Sequence, residues 1–336
     1  MHKISNEPSS SESSALGPPE TPWVLLGLDD LQERSTLLAQ SEAPLLIVGE
    51  TGSGKSSLAQ WVHTHSPRSK HPMAIRGCGE FHEQSFVATL FGHEKGAYTG
   101  ANHREEGLLR GCHKGTLILD DIDALSLKSQ ASLLGVMDTG NVTPLGAPNQ
   151  VHKVDVRFIA TCNKNLLDLV ANGEFREDLY YRLALFRLSL PPLSKRKFNM
   201  AKVVQHFEAE LLETYPALHS GRRISPKALK LISLLNWPGN FRELRGVVFQ
   251  VVGYADRTTN SDIGLPELYG MLLESEIAAP RLAELAQAIR SNNALLLEVL
   301  RASPDNYSLA ADIAGISRPT LYKRMEQNNW QRGIDC

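Results

Sequence analysis

Gly49-Glu50-Thr51-Gly52-Ser53-Gly54-Lys55-Ser56 (GETGSGKS) stands between an apolar run, Leu45–Val48 (LLIV), and an amphipathic stretch, Lys55–His63. The octapeptide fits G-x-x-x-x-G-K-[ST]. Its glycines let backbone N–H groups turn toward a polyphosphate, and the helix that follows offers its positive N-terminal end. Lys55 is placed to reach β- and γ-phosphates, and the Ser56 hydroxyl to ligate Mg²⁺. Because strand, loop and helix come in the order such a loop requires, the expected ligands are ATP and Mg²⁺. A glycine-rich turn that happens to hold a lysine is the weaker reading.

Outward from this loop the pattern repeats. Thr116–Leu119 (TLIL), Val156–Ala160 (VRFIA) and Phe186–Leu190 (FRLSL) are short, nearly continuous apolar runs bounded by Gly, Asp or Pro. Strands covered on both faces read this way. In Lys55–His63, Leu58, Trp61 and Val62 fall on one helical face. The alternation predicts a largely parallel sheet with helices on both sides, an α/β fold. Thr116–Leu119 ends in Asp120-Asp121, and the spacing assigns Asp120 to the metal and Asp121 to the attacking water. In isolation, two acids at a strand end read more readily as a helix cap, and it is the phosphate loop that favours the metal and water roles.

Composition excludes several classes. Net charge is −2, so nucleic-acid contact needs a local basic surface. Cys78, Cys112, Cys162 and Cys336 are scattered without metal-ligand spacing, which suits a reducing cytosol. The polar N-terminus has no signal-peptide core, and no apolar run approaches the ~20 residues of a membrane span. A cytoplasmic protein is expected. Residues 1–21 are expected to be a disordered leader. An α/β unit over 22–193, a helical unit over 194–255, a turn-rich linker over 256–280 and a second helical unit over 281–336 complete the expected organisation.

Longer motifs point to a family. Phe91–Ala101 (FGHEKGAYTGA), Gly173–Leu183 (GEFREDLYYRL) and Trp237–Leu244 (WPGNFREL) occur in order between residues 91 and 244. Together they resemble the bacterial sigma-54-dependent transcription activators, a branch of the AAA+ P-loop ATPases, over roughly Gly27 to the C-terminus. The resemblance implies an AAA+ parallel sheet with a helical lid. It implies that Gly96-Ala97-Tyr98-Thr99-Gly100-Ala101 is the loop that engages the sigma factor, with Tyr98 where Phe is usual. Its flanking glycines suit a tight hairpin, and its aromatic tip offers a large contact with few rotatable bonds. The resemblance also makes Arg176 and Arg182 arginine fingers acting on a neighbouring subunit, Arg242 the lid arginine that senses nucleotide, and Asn163 a nucleotide-site residue. Forked guanidinium donors suit a γ-phosphate developing charge. Fingers in trans require an oligomer, and the family precedent is a hexamer.

The match has departures. Asp120-Asp121 stands for the usual Asp-Glu, and an acid one methylene shorter shifts its carboxylate by roughly 1 Å. Gly77 stands where the family has an Asn restraining that acid, and Thr161-Cys162-Asn163 stands for Ala-Thr-Asn. Ser56 replaces a common Glu and restores the general magnesium ligand. The Asp121 and Gly77 changes read as coupled.

Residues 305–327 (DNYSLAADIAGISRPTLYKRMEQ) predict a helix over Ser308–Ala314, a turn, and a helix over Arg318–Gln327 with Pro319 in its first turn. This resembles the Fis-type helix-turn-helix. Arg318, Thr320, Tyr322, Lys323 and Arg324 are then the candidates for phosphates and base edges. Leu282–Arg301 is expected to be one amphipathic helix that could dimerise the module.

The favoured expectation is an activator that binds upstream DNA, assembles a ring and remodels the closed sigma-54 RNA polymerase complex with ATP. The departures support an alternative: a weakly hydrolysing DNA-binding partner subunit in a mixed oligomer. A remodelling ATPase acting elsewhere is a third reading, against which the GAYTGA loop counts. Since no sensor domain is read before the ATPase unit, control is expected from a separate regulatory protein, expression level or the ATPase surface.

Overall fold

The structure, a computed structural model, describes residues 22–80, 83–98, 101–196 and 200–330. The expected leader, residues 1–21, and Thr99 and Gly100 of the GAYTGA segment lie outside the described residues.

Five parallel strands form the main sheet: β1 Leu45–Gly49, β2 Met73–Gly77, β3 Thr116–Asp120, β4 Arg157–Cys162 and β5 Phe186–Leu190, in the order β2-β3-β4-β1-β5. Side chains alternate between faces as strand geometry dictates. Ile47, Ile118 and Ile159 enter one buried layer with Leu58 and Val62 of α1 Lys55–Thr64. Leu46, Leu117, Leu119 and Ala160 enter the opposite layer, with Leu133 of α2 Leu127–Thr139 and Leu179 of α3 Glu177–Leu183. β2 is an edge strand with Met73 36% exposed, which is why it lacks the continuous apolar run of its neighbours. β4 begins one residue later than expected and runs two residues further, bringing Thr161 and Cys162 into the sheet. The phosphate loop, the acidic pair and Thr161 thus all sit at the carboxyl ends of adjacent strands, where open α/β sheets bind ligands.

The residues flanking the GAYTGA segment pair as a short antiparallel ladder apart from the main sheet. Gly92–His93 pairs there with Glu105–Glu106, and His93 also bridges Leu145. Gly96 has φ +81° and open space around it.

After the sheet come α4 Met200–Thr214, α5 Pro226–Leu234 and α6 Asn240–Tyr254. Two expectations about the following chain are corrected. The stretch read as a linker contains α7 Leu265–Glu274, whose Leu265, Leu268 and Leu272 are buried. The helix expected over 282–301 is two helices, α8 Ala279–Ser291 and α9 Asn293–Ala302, parted at Asn292, whose side chain accepts the Ala294 N–H. An Asx cap starts a new helix where the periodicity alone continues. α10 Tyr307–Ala314 and α11 Arg318–Gln327 close the described chain, with Gly315 at φ +60° in the turn between them. Leu309, Ile313, Leu321 and Met325 are buried there, with Ile316 packed against them. One apolar cluster runs without a break from Val203 in α4 to Met325 in α11. The C-terminal helices are therefore packed on the lid rather than tethered to it. Among the described residues no helix is long and apolar enough to cross a membrane.

Candidate functional site

The phosphate loop adopts the backbone its glycines permit. Gly52 and Gly54 have φ of +75° and +97°, and both are crowded: a Cβ on Gly54 would lie 2.4 Å from the Val24 side chain. Side-chain-bearing residues rarely adopt such angles. Lys55 is buried in the first turn of α1, and its Nζ donates to the Gly49 and Glu50 carbonyls at 2.9 and 3.1 Å. Burial lowers its pKa, opposed by the charges of Asp121 and Asp120. An ammonium held in a loop of turned amides is arranged to receive phosphate oxygens.

β3 carries the acidic pair to this loop. The Ser56 hydroxyl donates to the Asp120 carboxylate, 3.0 and 2.9 Å from its two oxygens. A hydroxyl and a carboxylate meeting beside a phosphate cradle are a hard-oxygen donor set of the kind Mg²⁺ takes together with phosphates, so the residues present fit that ion. Asp121 follows at φ +53°, ψ +56°, a left-handed conformation that Asp tolerates better than most side chains. Its pKa is raised, first by burial and then by Asp120. Gly77 pairs in register with Asp120 from β2 and offers it no side chain. From β4, the Thr161 hydroxyl donates to Asp120 and accepts the Asp121 N–H at 3.1 Å.

A cavity of about 340 Å³ opens over the loop, lined on one side by Lys55, Ser56, Asp120 and Asp121 and on the other by Trp23, His206, Phe241, Arg242 and Arg245. Trp23 stacks on His206 at 5.4 Å and meets Phe241 edge-on at 4.8 Å. Arg245 pairs with Glu210 at 2.7 Å across this wall. The sequence reading found Arg242 but gave no role to its neighbour Phe241 in the same motif. It missed Trp23, His206 and Glu210, which share no local motif: Trp23 lies before β1, and His206 and Glu210 lie on α4.

It also missed how the lid is fastened. The Asn240 amide donates to the Thr51 carbonyl at 3.0 Å and to Glu50 at 3.2 Å, and its carbonyl accepts the Leu193 N–H at 2.6 Å. The Phe241 N–H reaches the Gly52 carbonyl at 3.0 Å. Arg196, buried and pushed down to about 10 by burial, donates to the carbonyls of Ser53 and Pro191 at 2.9 Å and of Val24 at 2.5 Å. Asn240 and Phe241 lay in a motif the sequence singled out, and Arg196 did not.

Three expected site residues stand apart from this cavity. Asn163 is exposed just beyond β4, and Arg176 and Arg182 are exposed on α3 and its N-cap. Arg176 pairs with Asp178 at 2.7 Å; Arg182 donates to the Met137 carbonyl at 2.9 Å and lies 3.4 Å from Asp138. Neither arginine reaches the chain's own phosphate loop. In the hairpin, Ala97 and Ala101 form the turn with Gly96, and Tyr98 is 42% exposed with its ring edge-on to buried His93 at 5.1 Å.

In the C-terminal pair, Arg318, Thr320, Tyr322 and Lys323 are exposed on the first turns of α11. Arg324 is not placed as expected of a DNA contact. Its guanidinium donates to the Ile289 and Arg290 carbonyls at 3.0 and 2.6 Å, capping the C-terminal end of α8. A cation there satisfies orphan carbonyls and opposes the helix dipole. Arg324→Ala is expected to destabilise the C-terminal helices by about 1–2 kcal/mol, measured by denaturant unfolding. Unchanged stability with weakened, salt-sensitive DNA binding would instead return Arg324 to the phosphate-contact group.

Residues 27–189 match the family described as the sigma-54 interaction domain. The chain is similar to the transcriptional regulatory protein GlrR of Escherichia coli (strain K12), at 35% identity over 299 residues, covering 89% of this chain and 65% of that protein. It is also similar to the transcriptional regulatory protein ZraR of Klebsiella oxytoca, at 34% identity over 323 residues, covering 94% of this chain and 72% of that one. Among solved structures, NtrX from Brucella abortus in complex with ATP superposes with a TM-score of 0.63 at 24% identity, covering 92% of this chain and 69% of that one. That likeness is one of fold: an AAA+ sheet and lid followed by an all-helical unit. With motif order, sheet and C-terminal helices in agreement, the chain belongs to the sigma-54-dependent transcriptional regulators.

Proposed function

We propose that this regulator binds ATP with magnesium in the cleft, hydrolyses it within an oligomer, and uses the cycle to press the Tyr98 hairpin against sigma-54 RNA polymerase held near upstream DNA. The observation that carries the reading is the meeting of Ser56 and Asp120 beneath the Gly49–Ser56 loop, with Lys55 beside them. Magnesium, when bound, supplies charge neutralisation on phosphate oxygens, and Ser56 and Asp120 are the groups that would hold it. Lys55 and the loop amides bind the phosphates. Trp23, His206 and Phe241 give a flat heteroaromatic base apolar faces to lie against. Asp121 orients the water and takes its proton, while Arg176 and Arg182, turned away from their own cleft, stabilise charge on a neighbour's γ-phosphate. An oligomer, in the family precedent a hexamer, follows from that division of labour. The exposed residues of α11 enter the major groove of an upstream site.

The test is purified chain with sigma-54 holoenzyme and promoter DNA, assayed for ATP hydrolysis and strand opening. Both activities are expected; hydrolysis without opening would sink the remodelling role. The second reading, a weak hydrolase in a mixed oligomer, draws on the short, left-handed Asp121 and the bare Gly77. It predicts neither activity alone and both on adding a related subunit.

A further inference from the structure

Thr161 is fully buried on β4, between the strand that feeds the phosphate loop and the strand that ends in the acids. Ile47 of β1 is its register partner on one side, and the β3 register places Asp120 after the Leu119–Ala160 pair on the other. A threonine hydroxyl has one hydrogen to give and lone pairs to accept with. Here the hydrogen goes to Asp120 and the oxygen takes the Asp121 N–H at 3.1 Å. One hydroxyl thus fixes the carboxylate of the first acid and the peptide plane that leads into the second.

Two further features make this bracket matter. Asp121 holds φ +53°, a conformation that persists for residues other than glycine only where surroundings enforce it. On the other flank Gly77 is the register partner of Asp120 and has no side chain to offer. Cys162, next along β4, is buried as a thiol pushed up to about 12, so it brings no charge to the site.

We propose that Thr161 is the positioning residue of the acidic pair: its hydroxyl orients Asp120 toward Ser56 and holds Asp121 in its left-handed backbone conformation. The proposal rests on the hydrolysis reading above and adds to it a residue outside the acidic pair and the phosphate loop. Thr161→Val keeps the shape and removes the hydroxyl; Thr161→Ser keeps the hydroxyl and removes the methyl.

Hydrolysis kinetics and the Mg²⁺ dependence of binding a fluorescent ADP analogue are measured for both variants. Groups that orient metal ligands change activity or metal affinity by roughly 10–100-fold, so Thr161→Val is expected to lose that much in kcat and in Mg²⁺-dependent binding. KM for ATP should move by less than about threefold, because the phosphate loop is untouched. Thr161→Ser is expected to stay near wild type in both. Wild-type behaviour of Thr161→Val overturns the proposal, and so does a serine variant as impaired as the valine one, which would assign the effect to packing. If Thr161→Val fails to fold by thermal melting, Thr161→Ala replaces it against the same serine control. If the wild-type chain does not hydrolyse ATP, the hydrolysis reading falls by itself. Thr161 is then judged on Mg²⁺-dependent binding, where equal behaviour of wild type and Thr161→Val refutes it.

Discussion

Arg182→Ala is expected to lower ATP turnover by about 10³-fold or more while ATP affinity stays within about threefold, the pattern of an arginine acting in trans on developing phosphate charge. Arg182 lies in the last turn of α3, about half exposed, and does not line its own cleft. Its contacts with Met137 and Asp138 are surface contacts. An exposed ion pair contributes at most about 1 kcal/mol, so a loss of that size in turnover cannot come from stability. Mixing decides the matter. Lys55→Ala subunits lack the phosphate-binding ammonium but keep their arginines, and Arg182→Ala subunits have the reverse defect. Combined, they are expected to recover a substantial part of the wild-type rate, because some interfaces pair an intact loop with an intact arginine. Absence of recovery would make Arg182 a residue of its own subunit.

Gly52→Ala should damage nucleotide binding even though the glycine offers no side chain to a ligand. Its φ is +75°, and an added Cβ would lie 2.2 Å from the Gly239 carbonyl oxygen. The oxygen is backbone and the backbone alone fixes where a Cβ lies, so no rotamer change relieves the clash. The loop or the lid turn must move, and either movement strains the hydrogen bonds from Phe241 to Gly52 and from Asn240 to Thr51. Forcing strain of this kind costs about 2 kcal/mol, or roughly thirtyfold in affinity. Calorimetric titration with ADP and a thermal melt would check it. A variant that binds and melts like wild type would show that the lid does not rest on the loop in solution.

The clarity of each element in the sequence tracks how local its cause is. The three central strands declared themselves because both their faces are buried, so nearly every residue had to be apolar. The buried exceptions Thr116, Arg157 and Thr161 are hydrogen-bonded. β5, at the sheet edge, was read at its observed bounds as a nearly apolar run closed by Pro191. Edge strand β2, with exposed Met73 and Arg76, satisfies no such rule. Ser308–Ala314 and Arg318–Gln327 were legible from the Gly315–Ser317 turn between them and a proline in the first turn of the second, and the observed bounds differ by one residue at one end. α7 was not, because the turn-rich Asp256–Asn260 start masks the apolar spacing of Leu265, Leu268 and Leu272. The break at Asn292 was hidden because apolar spacing continues across it.

Arg324 marks the limit most clearly. Next to Lys323 on a predicted recognition helix it reads as a DNA contact, yet the packing of α11 on α8 turns it inward onto two carbonyls. Arg176 and Arg182 carried the opposite ambiguity: the motif named them, and only the fold shows that they face away from their own cleft.

By itself, the sequence determined the phosphate loop, the acids that end β3 and the order of the motifs, because each depends on residues close together along the chain. Tertiary structure alone decided which groups converge on that loop. Asn240, Arg196, Trp23 and Thr161 arrive from distant segments, and the hydroxyl that brackets Asp120 and Asp121 lies on another strand. Spacing along the chain encodes turns and faces. Contact across a sheet or between sheet and lid is encoded only in the packing of the whole.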